Sequence, residues 1–555
     1  MIYSEFTDNT TDPVLFETWK PKIAKYLKNL EDSIVVEYLA PAALVPDDLD
    51  KPFNATLVAD KVLSEKELDI TSKSACCLAK EISEGKLSSL ETFNAFARRA
   101  IIAHQLTNCA MEFFIDEGRE RAKALDAYFK KHGKTVGPLH GLPISLKEHY
   151  NYKGRVTHGA YVSLIENVTE SHATTVQNLY DAGAVFYVRT TEPQSLMHLD
   201  SINLITGRGR NPYNTSLGPG GSSSGEGIIV RMGGSSMGVG TDIGGSIRAP
   251  SAFCGCWGLK PTQKRISLKG CSTTIPGQET VYCLMGPISR FSEDLSFWMK
   301  SVIEQKPWKF DSTLVPLPWR EVPFPEPKKL RVAISLDDGI VRPHPPIERG
   351  LKYVKKILEK NGVEVVEIDL PRTLEAFEVV NMIYSADSNK GQLDALGASG
   401  EPLTHLTKWA MGYGKGTNPV SVYELRALTA TRDSIRDDYL ELMEKNGFDF
   451  ILGPTYAGVA PVPDTLHYWG YTALWNLLDM PNVIFPTGLF QDPSIDLVDE
   501  KYIPRNDIEK YEYNLYKDPE VFRGAPISLQ LTARRYDDEE LCKFGEFVDE
   551  LLKSS

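Results

Sequence analysis

Residues 240–255 read "GTDIGGSIRAPSAFCG", a stretch of sixteen positions that holds four glycines and two serines. Glycine loses more backbone freedom on folding than any other residue, so ordering this stretch is costly. A turn built from such small residues lets consecutive backbone N–H groups converge on one point and hold a negative charge. Because Ser246 lies within the turn, we expect a loop that stabilises a developing anion beside a serine hydroxyl.

The segments around this loop alternate between helical and strand-like patterns. "GLPISLKEHY" (141–150) is a short apolar run that ends in charged residues, which is typical of a buried strand. "SHATTVQNLYDAGAVFYVRTT" (171–191) predicts a helix, a glycine and then a strand at 184–188. In the second half, "LRVAIS", a helix over 347–360 and "VEVVEIDLP" follow the same order. This alternation predicts an α/β fold with a largely parallel sheet.

The N-terminal part has a different pattern, because the first 135 residues are mainly helical in periodicity. We expect residues 1–70 to form a helical extension that packs on the core. The core domain would then span 71–555, with its Gly/Ser-rich catalytic part at about 137–290. The proline-rich residues 306–329 fit either a linker between two domains or a surface crossing within one fold.

Composition and charge narrow the classes of partner. The 555-residue chain has a net charge of −13, and an acidic protein is not expected to bind nucleic acid or an anionic membrane. No segment has the roughly 18 uncharged apolar residues that a membrane span needs. The N-terminus lacks the basic start and apolar core of a secretory signal, and the eight cysteines lack zinc-site spacing. We therefore expect a cytoplasmic protein with reduced thiols and with no metal or other cofactor.

Three side chains in these motifs fit nucleophilic catalysis: Lys147 after the apolar run, Ser222 in "GGSSSGEG" and Ser246 in "TDIGGSIR". A serine hydroxyl is a weak nucleophile unless a base removes its proton. Neither Gly/Ser motif contains a histidine, but a lysine can act as the base if burial keeps its amine neutral. A second serine between them would relay the proton.

Two other motif interpretations are weaker. "GSSSG" also fits the G-x-S-x-G pattern, which would make Ser223 the nucleophile of an α/β-hydrolase, but that pattern needs a strand before the serine. Here "NPYNTSLGPGG" precedes it, which is a loop. A nucleotide-binding loop is excluded as well, because no GxxxxGK[ST] and no GxGxxG after a strand is present.

Taken together, these motifs closely resemble the amidase signature family. "GPGGSSSGEG" and "GVGTDIGGSIRAPSAFCGCWGLKPT" are similar to its Gly/Ser-rich signature, and "GPLHGLPISLKE" is similar to its lysine motif. The resemblance continues through "RNPYN", "HYWGYTALWNLLDMPNVIFPTG" and "GAPISLQLTARR" and so covers most of the chain. The later stretches are most similar to the fungal acetamidase or general amidase branch. The resemblance implies a single large α/β domain whose mixed, twisted central sheet is covered by helices on both faces.

The resemblance also implies a role for each matching position. Ser246 would be the acyl-forming nucleophile, Ser222 a bridging serine with a cis peptide bond, and Lys147 the general base. The backbone N–H groups of an oxyanion hole would come from Ile243, Gly244, Gly245 and Ser246. Leu196 would line the acyl site, and three positions would support the loop: Ser223, Asp242 and Arg248. Glu148-His149 departs from the Asp-Gln that is common after the family's lysine, which bears on substrate choice.

The expected function is hydrolysis of small monocarboxylic amides to a carboxylate and ammonia, through an acyl-Ser246 intermediate and with water as the second reactant. Three alternatives stay open at this point. The chain could be the glutaminase subunit of a tRNA-dependent amidotransferase, a fatty-amide hydrolase, or a catalytically silent amidase fold kept for binding. The presence of all three candidate catalytic residues, Lys147, Ser222 and Ser246, opposes the catalytically silent fold. Members of the family that this chain resembles are often homodimers, and the sequence leaves the oligomeric state open.

Overall fold

A computed structural model describes residues 6–413 and 418–555 of the chain. Within these residues, eleven strands form one sheet in the order β1-β3-β2-β6-β8-β7-β12-β13-β11-β9-β10, and β4 and β5 form a separate hairpin. The strands are β1 (Ala110–Phe113), β2 (Pro143–Lys147), β3 (Val185–Thr190), β4 (Ile202–Asn203), β5 (Gly207–Arg208), β6 (Met237–Asp242), β7 (Trp257–Lys260), β8 (Leu284–Ser289), β9 (Arg331–Ile334), β10 (Glu364–Glu367), β11 (Phe450–Pro454), β12 (Asn482–Phe490) and β13 (Pro526–Thr532).

Helices cover both sides of this sheet. They are α1 (Pro13–Glu17), α2 (Lys20–Asp32), α3 (Glu65–Ser72), α4 (Ala75–Ser83), α5 (Ser89–Thr107), α6 (Ile115–His132), α7 (Thr174–Asp181), α8 (Ser224–Arg231), α9 (Arg248–Phe253), α10 (Glu293–Ile303), α11 (Pro345–Lys360), α12 (Thr373–Tyr384), α13 (Lys390–Gly397), α14 (His405–Met411), α15 (Val422–Asn446), α16 (Gly470–Leu477), α17 (Asp507–Asn514) and α18 (Asp538–Lys553).

The sheet is mixed rather than largely parallel. β2 lies between β3 and β6, and both of these neighbours run parallel to it. From β6 to β13 the neighbouring strands alternate in direction, and at the far edge β11, β9 and β10 are parallel again. Every residue of β2, β3 and β6 is buried, as expected for strands with layers packed on both faces. The predicted single large α/β domain with a mixed sheet is confirmed.

The proline-rich residues 306–329 do not separate two domains. The strands that follow them join the same sheet as the strands that precede them, because β12 pairs directly with β7. Most residues of this stretch are exposed or half-buried. It is therefore a surface crossing within one fold.

Local signals in the sequence account for the ends of several helices. The Glu91 N–H donates to Ser88 Oγ at 3.1 Å at the start of α5, as the spacing of these residues predicts. Gly133 ends α6 with a φ of 62°, the left-handed conformation in which glycine carries no steric cost.

The N-terminal segment packs closely on the rest of the fold. Ile23 of α2 lies in a small apolar cluster with Val162, Ile165 and Ile205, and Leu30 joins the larger cluster beneath α5. The expected boundary at residue 70 lies inside α3, so this helix spans both parts. No helix in the described part of the chain is both long and apolar enough to cross a membrane.

Candidate active site

The three predicted catalytic side chains are brought to one edge of the sheet. Lys147 is the last residue of β2, and Ser246 follows the end of β6, the neighbouring parallel strand. The carboxyl ends of parallel strands meet at the same sheet edge, which is the usual place for a ligand site in an open α/β sheet. Ser222 lies in the loop just before α8. The fold itself therefore brings residues that are far apart in the chain into one site.

Lys147 is fully buried, and its amine contacts two hydroxyls. Nζ lies 2.7 Å from Ser222 Oγ and 3.1 Å from Thr241 Oγ1. Burial lowers the pKa of Lys147, because a charged ammonium is poorly solvated there, and the acidic groups nearby, Glu192 first among them, oppose this only in part. The amine is thus shifted toward the neutral form that can accept a proton.

Ser222 lies in a tightly packed loop. The Gly221–Ser222 peptide bond is cis. A β-carbon at Gly221 would lie 2.1 Å from the carbonyl oxygen of Asp200, so only glycine fits at that position. Ser223 ties this loop to the next one, because its N–H donates to the Ser246 carbonyl at 3.0 Å and its Oγ donates to the Thr241 carbonyl at 3.2 Å. Both serine loops are thereby fixed against each other.

Asp242 and Arg248 form a buried ion pair beneath the glycine turn. Asp242 Oδ1 lies 2.8 Å from an Arg248 nitrogen, and both side chains are fully buried. Burial alone would raise the pKa of Asp242, but the charge and hydrogen bonds of Arg248 outweigh it and hold this pKa well below its usual range. The Asp242 carboxylate also accepts the Gly245 and Ile247 N–H groups at 2.9 and 3.0 Å. Asp242 therefore fixes the shape of the turn.

The bond to Asp242 corrects one expectation about the oxyanion hole. Four N–H groups are predicted to face the substrate, but that of Gly245 is used inside the turn. The reason is the buried Asp242 carboxylate, which needs hydrogen-bond donors. The candidate donors to an oxyanion are reduced to Ile243, Gly244 and Ser246.

Two hydroxyls from α12 and α16 orient the peptides of the turn. Tyr384 donates to the Ile243 carbonyl, and Thr472 Oγ1 donates to the Gly244 carbonyl at 2.6 Å. Because the N–H and C=O of a planar trans peptide point in opposite directions, the Gly244 N–H is directed away from Tyr384. The turn is thus held from the side opposite to its N–H groups. Neither hydroxyl is apparent from the sequence, since both lie more than a hundred positions away.

Ser222 and Ser246 line a cavity of about 360 Å³. Ile243 and Leu196 also line this cavity, and a role of Leu196 at an acyl site stays a prediction. Leu196 and Ser195 have φ values of 62° and 66°, a left-handed conformation that is uncommon for residues with a β-carbon. The lining is mainly apolar and also includes Leu268, Ile275, Pro276 and Tyr282.

Three polar residues near Lys147 were missed by the sequence interpretation: Thr241, His149 and Glu192. Thr241 stands beside Asp242 in the quoted stretch, and only its contact with Lys147 reveals its place. His149 lines the cavity two positions after the lysine, where the departure from the family pattern is a signal. Burial raises the pKa of Glu192 well above its usual range, Lys147 opposes this, and Glu148 adds to it. No sequence signal identifies Glu192.

The donor chemistry of the site favours hydroxyl and amine catalysis. In the described ranges, residues 6–413 and 418–555, no group of three or more His, Cys, Asp or Glu side chains could hold a metal ion. The cavity presents serine and threonine hydroxyls beside a buried amine, a set that suits acyl transfer.

The chain is similar to known amide-hydrolysing proteins over most of its length. The family model described as Amidase matches residues 91–542. An acetamidase of Aspergillus oryzae is 38% identical over 502 residues, which cover 88% of this chain and 92% of that protein. An acetamidase of Emericella nidulans is 39% identical over 503 residues, which cover 88% of this chain and 91% of that protein.

Solved structures agree with these sequence matches. A structure named "Fatty acid amide hydrolase" aligns with a TM-score of 0.97 at 49% identity, covering 99% of this chain and 98% of that chain. One named "Crystal structure of amidase" has a TM-score of 0.70 at 22% identity, covers 86% of this chain and 99% of that chain, and shares the fold. The chain therefore belongs to the amidase family and is an amidase-signature hydrolase.

Proposed function

We propose that this amidase hydrolyses monocarboxylic amides, small ones among them, to a carboxylate and ammonia, with Ser246 as nucleophile, Ser222 as proton relay and Lys147 as general base. The observation that carries the proposal is the buried contact of 2.7 Å between Lys147 Nζ and Ser222 Oγ, next to the cavity that Ser246 lines. The lowered pKa of Lys147 supports the same roles, because a neutral amine can take up a proton.

In acylation, Ser246 Oγ forms a bond to the amide carbonyl carbon. Its proton passes to Ser222 Oγ while the Ser222 proton passes to Lys147 Nζ. The negative charge that develops on the carbonyl oxygen is held by the candidate donors, the N–H groups of Ile243, Gly244 and Ser246. Losing one donor of this kind typically costs about 10²–10³ in rate.

The C–N bond then breaks, and the same proton returns from Lys147 through Ser222 to the leaving nitrogen, which departs as ammonia. In deacylation, water attacks the Ser246 ester while its proton takes the path to Lys147. Breakdown of the second tetrahedral intermediate returns that proton to Ser246 Oγ and releases the carboxylic acid. The cycle closes with every proton accounted for, and no further group is needed.

The size of the cavity favours a second candidate, amides with longer acyl chains. An apolar cavity of about 150 Å³ holds a benzene molecule, and this one measures about 360 Å³ with walls that are mainly apolar. The relative that is 49% identical is named for fatty acid amides. We propose that acyl groups well beyond acetyl fit the site.

The test is ammonia release from a series of amides, from formamide through hexanamide to aryl and long-chain amides. Hydrolysis by the wild type and its loss in Ser246→Ala support the proposal. Glutamine hydrolysis far above that of all other amides, together with copurifying subunits, would favour an amidotransferase instead. A folded wild type that releases no ammonia from any of these amides would favour a silent binding protein.

The proposal includes a cytoplasmic location and a homodimer. All eight cysteines are free thiols, which supports a reducing compartment. Cell fractionation and light scattering of the purified protein test the two points separately. Amide and water are the only reactants we propose.

A further inference from the structure

We propose that His149 is a positioning residue for the catalytic base: acting through the Thr241 hydroxyl, it keeps the lone pair of Lys147 directed at Ser222. The inference rests on the proposed function, because it presumes that Lys147 is the base. It assigns a role to His149, in addition to the roles of Lys147, Ser222 and Ser246.

The geometry is a continuous chain of hydrogen bonds along the lining of the cavity. His149 Nδ1 lies 3.3 Å from the Ser272 carbonyl oxygen, and His149 Nε2 lies 3.1 Å from Thr241 Oγ1. Thr241 Oγ1 is in turn 3.1 Å from Lys147 Nζ, which is 2.7 Å from Ser222 Oγ. The His149, Thr241 and Lys147 side chains are all buried, and hydrogen bonds are electrostatically stronger in such surroundings than in water.

The direction of each hydrogen bond can be worked out from the Ser272 end of the chain of hydrogen bonds, where one partner is a carbonyl oxygen. A carbonyl oxygen can only accept, so His149 Nδ1 carries the hydrogen toward Ser272. Burial holds the pKa of His149 well below its usual range, so the ring is neutral. In a neutral imidazole the other nitrogen is an acceptor, and the Thr241 O–H must therefore donate to Nε2. The Thr241 oxygen is then left as an acceptor for a Lys147 N–H.

This ordering determines what the lysine amine can do. A neutral amine has two N–H bonds and one lone pair. With one N–H held by Thr241, the lone pair is free to take the Ser222 proton. In the opposite arrangement, a ring N–H would donate to Thr241, and the Thr241 O–H would be turned onto the lone pair of Lys147. The base would then be occupied before the reaction began.

Backbone hydrogen bonds hold both ends of this series of hydrogen bonds in place. The Ser272 N–H donates to the His149 carbonyl at 2.8 Å, so the two backbones are paired where the ring meets the Ser272 carbonyl. At the other end, the Thr241 N–H donates to Ser223 Oγ at 3.2 Å. His149 is the other titratable group within these hydrogen bonds. The acidic groups that act most strongly on Lys147 lie outside them, and they are Glu192, Cys283, Asp242 and Glu226.

The experiment is a double-mutant cycle of His149→Phe and Thr241→Val, with kcat and KM for a short amide measured across pH. We expect each single variant to lower kcat by about 10- to 100-fold, at or below the lower end of the roughly 10²–10⁴-fold that general-base catalysis contributes, because the base itself is still present. KM should change little. We expect the loss to persist at alkaline pH, where Lys147 is neutral. The double variant should be no slower than the slower single variant, because both changes break one chain. Additive losses would overturn the proposal.

Conservative variants give an independent readout. His149→Gln places an amide oxygen toward Thr241 and an amide N–H toward Ser272, and we expect it to restore kcat to within a few-fold of the wild type. Thr241→Ser keeps the hydroxyl and should do the same. If His149→Phe fails to fold, as seen by thermal unfolding, the contrast between Thr241→Ser and Thr241→Val decides. Equal kcat in that pair would overturn the proposal.

Lys147→Ala separates this inference from the function on which it rests. If Lys147→Ala keeps near-normal turnover, the proposed function fails. If it is inactive while His149→Phe matches the kcat of His149→Gln, only the present inference fails.

Discussion

Lys147 Nζ lies 2.7 Å from Ser222 Oγ although 75 positions separate the two residues. The contact exists because β2 carries the lysine to the sheet edge where the serine loops meet. It also places a lysine out of water, which is unfavourable for the charged form and lowers the pKa of Lys147. Burial thus destabilises the charged ammonium form of Lys147, and the neutral amine that it favours can act as a base.

The first prediction concerns pH. Since only the neutral amine can accept a proton, kcat/KM for an amide should fall as the pH drops through the lowered pKa of Lys147. Lys147→Arg should lower kcat/KM by at least about 10²-fold at every pH, because a guanidinium cannot be deprotonated in a protein. The pH dependence of kcat/KM for both proteins checks this.

The control for that experiment is Lys260, the last residue of β7. It is also buried, and burial together with the charge of Arg248 lowers its pKa to about 8. Lys260→Met should leave the acidic limb of the profile in place, because this amine does not line the cavity. If the acidic limb of the profile shifts when Lys260 is replaced and not when Lys147 is replaced, Lys147 is not the base.

The second prediction concerns the ion pair beneath the turn. Asp242→Asn should lower the free energy of unfolding by about 3–5 kcal/mol at pH 7, because it leaves the buried Arg248 without its charge partner. Activity should fall as well, since Asp242 orients the turn through Gly245 and Ile247. Urea denaturation and amide turnover measure the two effects.

The loss of stability in Asp242→Asn should be largest near neutral pH and should shrink in acid. The folded-state pKa of Asp242 is depressed, so its contribution is fully present above the unfolded value of about 3.9 and is lost as the pH falls below it. The matched control is Arg523→Ala, which breaks an exposed pair with Glu520. It should cost less than about 1 kcal/mol. Equal costs for the two variants would contradict the buried role of Asp242.

The third prediction concerns the backbone of the turn. Gly245 has a φ of 136°, and a β-carbon there would lie 2.6 Å from Thr472 Oγ1. Gly245→Ala should therefore displace the neighbouring N–H donors and lower kcat by about 10²-fold or more. Gly133→Ala is the control, because this glycine also has a positive φ, of 62°, but a β-carbon there would have no other atom within 4 Å. Turnover by the control should match that of the wild type.

Much of this site follows from local sequence patterns. An apolar run that ends in Lys147 predicts a buried strand, and β2 confirms it. The glycine spacing at 240–245 predicts a turn with converging N–H groups, and Asp242 and Arg248 are close enough in sequence for their pairing to be foreseen. Such features depend on residues within a few positions of one another, so a single sequence contains them.

Other features depend on packing between distant segments. The pattern predicts a largely parallel sheet, but β12 and β13 insert antiparallel between β7 and β11, an order that no local periodicity encodes. The sequence does not show that the Gly245 N–H is taken by Asp242. Nor does it show that Thr241 joins His149 to Lys147, because side-chain direction at the ends of strands is set by the neighbouring loops.

The fourth prediction concerns acyl size. Because the cavity of about 360 Å³ exceeds what acetyl needs, hexanamide should be hydrolysed with a kcat/KM at least as high as that of acetamide. Ile275→Trp should fill part of the cavity wall and lower kcat/KM for hexanamide by about tenfold, the value of one or two methylene contacts. Acetamide turnover should change little. A uniform loss for both amides would indicate a distorted site instead of a smaller pocket.

The most direct test of the account is to identify the residue that carries the acyl group. After incubation with an activated fluorophosphonate, intact mass and peptide mapping should locate a single adduct on Ser246 in the wild type. Ser246→Ala should give none, and Lys147→Ala should react far more slowly at neutral pH. An adduct on a different residue, or full amide turnover by Ser246→Ala, would contradict the account.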